Sequence, residues 1–157
     1  FCKRIFPVEW YGSLYDELHR HDFSVVNLAM PEGCVNIKAD IVIDVPISPL
    51  EWYSIIKNSS AYIGQRMHPM IVAFHNCVPF FIFDHYAFKN NNLSSSKIYD
   101  ILNRTGQLNN YKQINDVVDP LEVVNAIVNF DVVKASAFID DCLVAYNKMM
   151  KIITGMI

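Results

Sequence analysis

No apolar run in the chain approaches the roughly 18 residues that a membrane-spanning helix needs, and no basic-then-apolar segment opens it as a secretory signal would. The reading is of a soluble protein without a transmembrane segment. Clustered basic charge is missing too: the 13 Lys and Arg residues are scattered, the net charge is -3 and the isoelectric point lies near 5.9. Without a basic face the chain has nothing to offer a nucleic-acid backbone, so any anion site must be local. Cys2, Cys34, Cys77 and Cys142 are widely separated, with no Cys-x-x-Cys pair. That spacing fits reduced thiols in a cytosolic protein rather than a zinc site or a disulfide frame. Internal repeats are also absent.

A metal site finds little support. His68 and His75 are seven positions apart on one expected helix, about 10 Å along its axis at 1.5 Å per residue, too far to share one ion. His19 and His21 lack an evident third ligand. No metal and no cofactor are expected.

What is present is a chain of 157 residues, 52% hydrophobic, enough for one domain with a sizeable core and heavily buried strands. It opens on Phe1, in what already reads as the middle of a structured region, so residues 1–157 read as one domain of a longer protein.

Phe23 to Leu28 and Ile41 to Val45 are apolar, β-branched runs separated by Pro31, Glu32 and Gly33, and both read as strands. A first helix begins near Ser13 and closes over Asp16 to His21. Ser48-Pro49-Leu50-Glu51 is a capping box with proline at the first helical position, and Trp52, Ile55 and Ile56 supply the buried face of the helix it opens. Val78-Pro79-Phe80-Phe81-Ile82-Phe83 is a continuous apolar run of strand length, buried on both faces as parallel strands are, and ended by Asp84. Residues Lys89 to Ser96 are polar and rich in Asn and Ser, a loop before a helix from about Lys97 to Arg104 that Gly106 stops. Asp119-Pro120-Leu121-Glu122 repeats the capping-box pattern, with Leu121, Val124 and Val128 as an inward stripe. From Val132 to Ile153 the positions Val132, Ser136, Ile139, Leu143, Tyr146, Met150 and Ile153 step by four and three, a seam that reads as core packing.

Strands alternating with helices across short loops indicate an α/β domain with a mostly parallel sheet. Its most informative stretch is Gly64-Gln65-Arg66-Met67-His68-Pro69. Upstream, Ala61-Tyr62-Ile63 is a short apolar strand; downstream, Met67, Met70, Ile71 and Phe74 recur with the period of a core-facing helix. Pro69 fits the first turn, where its missing N–H costs nothing. Free backbone N–H groups and the positive end of the helix dipole therefore meet Arg66 and His68, an arrangement suited to phosphate or carboxylate. Right-handed crossovers put the carboxyl ends of the strands ending at Ile63 and Phe83 on one edge of the sheet, where open α/β sheets bind ligands. Arg66, His68, Asp84, His85, Tyr86 and Lys89 would share that edge.

Taken in order, Ser48-Pro49-Leu50-Glu51-Trp52-Tyr53, Ala61-Tyr62-Ile63-Gly64-Gln65-Arg66-Met67-His68, Val78-Pro79-Phe80 and Tyr86-x-x-Lys89 resemble the carboxyl-terminal half of the polysaccharide pyruvyl transferase family, over about residues 48 to 93. Met67 stands where the family often has Leu, a volume-conserving change. Asp84-His85-Tyr86 is a larger departure. Residues 1 to 47 and 94 to 157 match by architecture only.

The resemblance implies a GT-B-type enzyme with two Rossmann-like halves facing across a cleft, this chain being the second half and the partner a missing amino-terminal domain. It implies transfer of a pyruvyl group, as a ketal, from phosphoenolpyruvate to sugar hydroxyls of a bacterial surface, capsular or exopolysaccharide precursor. It further implies a cytoplasmic location, peripheral to the inner membrane where the acceptor is lipid-linked. Phosphoenolpyruvate and a saccharide acceptor would be its substrates.

On that reading Arg66 binds the donor's phosphate or carboxylate through its planar fork, and His68 is the acid/base or a donor-anion contact. Gln65 is a further substrate-binding residue. Asp84 and Tyr86 orient the acceptor sugar and Lys89 reaches the anion, although a carboxylate after a strand is as commonly a loop staple and a lysine in an Asn-rich loop a solvated charge. From spacing alone, Arg66 and His68 would more simply cap local carbonyls. Two other classes stay open: a nucleotide-sugar glycosyltransferase using the same helix N-terminus for a diphosphate, and a non-catalytic carbohydrate-binding domain.

Overall fold

The aromatic run that the sequence marks as a buried strand is the centre of the molecule. In the computed structural model, which describes residues 5–29, 34–44, 47–85, 93 and 96–155, strand β4 (Phe80–Asp84) is buried along its whole length. Its side chains alternate between two cores. Phe80 and Ile82 join Met70, Phe74, Leu102 and Phe130 on one face, while Phe81 and Phe83 join Leu14, Leu18, Val123 and Val124 on the other. A strand apolar on both faces must be covered by helices on both, and each fully buried phenylalanine contributes roughly 2–3 kcal/mol.

The remaining elements follow in chain order: α1 (Val8–Arg20), β1 (Val26–Leu28), β2 (Ile41–Ile43), α2 (Pro49–Lys57), β3 (Tyr62–Gly64), α3 (Met67–His75), then after β4 come α4 (Lys97–Thr105), β5 (Tyr111–Gln113), α5 (Pro120–Val128) and α6 (Val132–Thr154). Among the described residues all the strand pairs are parallel: β1 with β2, and β3-β4-β5 in that order. Helices α1 and α5 cover the Phe81 face; α2, α3, α4 and the start of α6 cover the Phe80 face. This is the Rossmann-like α/β architecture that the alternation of elements predicts.

Local signals explain most boundaries. Ser48 accepts from the Glu51 N–H while the Glu51 carboxylate accepts from the Ser48 N–H, so the predicted capping box opens α2. Gly106, at φ +65°, ends α4 in the left-handed conformation that glycine adopts without steric cost. Helix α1 starts earlier than Ser13, because Pro7 stands at its N-cap and Tyr11, Leu14 and Leu18 form the buried stripe.

At two further helices the expectations are corrected. At α5 the Asp119 side chain accepts from the Leu121 N–H, but the inward residues are Val123, Val124 and Ile127, while Leu121 and Val128 are exposed. The seam of α6 packs only at its start: Ala135 is buried, Phe138 and Ile139 lie against the core, and Leu143, Tyr146 and Ile153 are exposed. Strand β5 was not foreseen. Among the described residues no helix is long and apolar enough to cross a membrane, and Cys34, Cys77 and Cys142 are free thiols.

Candidate functional site

The β3–α3 junction is built by the register of the central sheet. Gly64 pairs with Ile82, so β3 stops two residues before β4 does, and the chain turns through Gln65 into α3 on the carboxyl edge. Gly64 is buried, and a Cβ there would run into the ring and hydroxyl of Tyr62; the turn is tight because the Tyr62 side chain folds over it. Gln65 is buried at 7% exposure, whereas Arg66 and His68 are both exposed.

Arg66 is the N-cap of α3, with extended backbone (φ -108°, ψ 136°) and no side-chain cap; its carbonyl accepts from the Met70 N–H at 3.3 Å. Other helices treat their amino ends differently. Ser48, Ser96, Asp119 and Asp131 cap α2, α4, α5 and α6, and α1 has Glu9 in its first turn. Among the described α-helices, α3 alone has neither a side-chain cap nor an acidic residue in its first turn. The positive end of its dipole thus stands beside a guanidinium and an imidazole, with no acidic residue in the first turn.

Met70 and Phe74 anchor the helix beneath that end, both in the core, with Met67 packed partly against it. Ile71, expected in the same stripe, is 39% exposed.

The carboxyl end of β4 behaves otherwise. Asp84 is fully buried; its Oδ2 accepts from the Tyr111 hydroxyl at 3.0 Å and from the Ser96 hydroxyl. Burial, and after it the charge of Asp84, pushes the Tyr111 phenol well above its ordinary value. This is the loop-staple role that a carboxylate after a strand commonly takes: its Oδ2 is turned inward to β5 and to the N-cap of α4. His85 follows at the exposed edge. Tyr86 and Lys89 lie outside the described residues.

The structure therefore brings Arg66, His68 and Gln65 together on one turn and places Asp84 under the same edge as a support. Sequence reasoning missed both of the staple's donors. Ser96 was findable as the polar residue just before an expected helix; Tyr111 was not, because β5 was not recognised. Among the described residues no group of three His, Cys, Asp or Glu side chains is placed to hold a metal ion.

Comparison with known proteins decides the family. The polysaccharide pyruvyl transferase family matches residues 5–86. The chain belongs to that family. The match runs from α1 to the residues just after β4, so the segment from Ile5 to Ile47 is part of the family's pattern as well as of its architecture, and it takes in Arg66 and His68. No curated protein and no solved structure matches the chain. The family is one of transferases, which makes transferase chemistry the frame for the edge just described.

Proposed function

We propose that the Gln65–Pro69 turn is the donor-anion wall of a pyruvyl transferase that moves a pyruvyl group from phosphoenolpyruvate to sugar hydroxyls. The observation that carries this is the exposed Arg66 and His68 at the uncapped amino end of α3, inside the segment that matches the family.

Ketal formation has three requirements. The enol methylene must gain a proton, the attacking hydroxyls must lose theirs, and the C–O bond to phosphate must break with the electron pair leaving on phosphate. A guanidinium forks onto the phosphate or carboxylate through two parallel N–H bonds, and the N–H groups of α3 add donors where negative charge accumulates. An imidazole exchanges protons near neutral pH and suits the methylene or the hydroxyl. Arg66 and His68 supply these two kinds of group; the acceptor would be held by the facing half of a two-domain cleft.

The test uses the full-length protein with phosphoenolpyruvate and candidate glycans, following phosphate release and the mass gain of a ketal. Arg66→Lys, which keeps charge but loses the fork, and His68→Ala should each lower transfer roughly 100-fold or more with the fold intact. Unchanged turnover in both overturns the assignment. Consumption of a nucleotide sugar with no response to phosphoenolpyruvate would favour the glycosyltransferase reading.

A further inference from the structure

The chain leaves β4 at Asp84 and enters His85, an exposed residue to which the reading of Arg66 and His68 gives no role. The sheet fixes where it stands. Gly64 pairs with Ile82 and Asp84 with Gln113, so the segments that leave β3 and β4 set out from neighbouring places on one carboxyl edge, on strands about 4.8 Å apart. Arg66 and His68 are on the first of these exits and His85 is on the second.

The residues that lead into His85 are held, although His85 itself is exposed. The Asp84 carbonyl accepts from the Ile114 N–H at 3.1 Å, and the Asp84 side chain accepts from the Tyr111 and Ser96 hydroxyls. Phe83 is fully buried against Phe6 and Trp10, around the start of α1. A reacting group gains from such a base, because positioning it at the moment of reaction then costs little entropy. The charged and titratable groups that the topology brings to this edge are Arg66 and His68 on the β3–α3 turn, Asp84 beneath, Asp116 on the loop after β5 and Glu9 in the first turn of α1.

The proposed reaction has work for a second imidazole. Phosphoenolpyruvate and two sugar hydroxyls give a ketal and inorganic phosphate. Two O–H bonds break, two C–O bonds to the sugar form, the methylene becomes a methyl group, and the C–O bond to phosphate breaks with its electron pair leaving on phosphate. Two protons leave the hydroxyls, and the balance is one proton gained at carbon and one at phosphate. The first addition gives a proton at the methylene and takes one at the hydroxyl, two tasks that suit opposite protonation states.

We propose that His85 is the catalytic base: it takes the proton of the first attacking hydroxyl and gives it to the departing phosphate, while His68 protonates the methylene and regains a proton from the second hydroxyl. The division follows from place. His68 stands beside the anion wall at α3, where the negative charge of bound donor favours the imidazolium that an acid must be. His85, one strand over on the same edge, is left to the acceptor. This assignment rests on the reading of the Gln65–Pro69 turn as a pyruvyl transferase site.

The test follows kcat of the full-length protein against pH, at saturating phosphoenolpyruvate with the glycan it pyruvylates. Wild type should give a bell whose acid limb belongs to the base and whose alkaline limb belongs to the acid. His85→Ala should lower kcat roughly 100-fold, flatten the acid limb and leave the KM for phosphoenolpyruvate within about threefold of wild type, and added imidazole should restore part of the turnover. His68→Ala should keep the acid limb and lose the alkaline one. His85→Gln gives the same readings where the alanine variant does not fold. Turnover within about threefold of wild type at His85→Ala, or a lowered kcat that keeps its acid limb and does not respond to imidazole, overturns the base. Loss of transfer in Arg66→Lys and His68→Ala would then leave the pyruvyl transferase reading standing. A wild-type profile with no acid limb overturns the base without any variant, and no ketal from wild type overturns the base and that reading together.

Discussion

The Tyr111 hydroxyl donates to Asp84 Oδ2 at 3.0 Å, tying the start of β5 to the end of β4 inside the protein. With Ser96 on the same oxygen, the pair joins the central strand, the N-cap of α4 and the edge strand beneath the candidate site.

Removing either donor should therefore cost stability without touching Arg66 or His68. Tyr111→Phe or Ser96→Ala leaves a buried carboxylate one hydrogen bond short, a loss of about 1–3 kcal/mol. Urea unfolding followed by circular dichroism reads it. There is a pH signature as well. The folded phenol titrates above its unfolded value of about 10, so its contribution is complete below pH 10 and is lost as pH rises toward the folded value. The alkaline fall in wild-type stability should flatten in Tyr111→Phe.

Acid stability should depend on Asp40. Its carboxylate accepts from the Tyr15 hydroxyl at 2.6 Å, from the Val25 N–H at 2.7 Å and from His19 at 2.9 Å, pinning α1 to the entries of β1 and β2. The Tyr15 bond first, then the Val25 N–H, holds its pKa below the ordinary carboxylate range. A depressed folded value gives stability that is present above the unfolded pKa of about 4 and is lost as pH falls through the folded one. Asp40→Asn should lower stability at pH 7 and make its acid limb shallower than wild type. Parallel acid limbs for the two proteins would contradict this.

Much of this scaffold is legible in the sequence because short-range chemistry fixes it. Ser48 and Glu51 cap each other three residues apart, Gly106 ends a helix by its own conformational freedom, and the Phe80–Phe83 run can only be a strand covered on both sides. The candidate turn was legible for the same reason: Arg66, His68 and Pro69 mark a helix start locally. What was not legible depends on distant partners. Tyr111-Lys112-Gln113 is a strand because β4 offers an edge; three residues carry too little periodicity to say so. The bonds that Ser96 and Tyr111 make to the Asp84 Oδ2 are of the same kind, coming from residues 12 and 27 positions further along the chain.

The Tyr62–Gly64 contact predicts a site defect that is not a folding defect. A Cβ at Gly64 would meet the far end of the Tyr62 side chain, and a flexible ring can swing away at modest cost. Gly64→Ala should leave thermal stability within about 1 kcal/mol of wild type, yet shift the turn that carries Arg66. In the proposed transferase the expected result is a raised KM for phosphoenolpyruvate, and restoring room with Tyr62→Ala in the Gly64→Ala background should bring it back toward wild type.

Helix α6 should divide energetically at about Ile139. Phe138 packs on Phe74 with ring centroids 5.9 Å apart, and Ala135 is fully buried, so the first two turns are part of the core. Beyond them Leu143, Tyr146 and Ile153 carry the same seam into solvent at 54% exposure or more. Phe138→Ala should destabilise the domain by about 1–3 kcal/mol, less than a fully buried phenylalanine because its ring is only partly covered. Leu143→Gln, one turn beyond Ile139 on the seam, should change stability by less than about 0.5 kcal/mol. Thermal melts of the two variants of this chain measure the contrast. Equal losses would mean that the distal half of α6 packs on the domain after all.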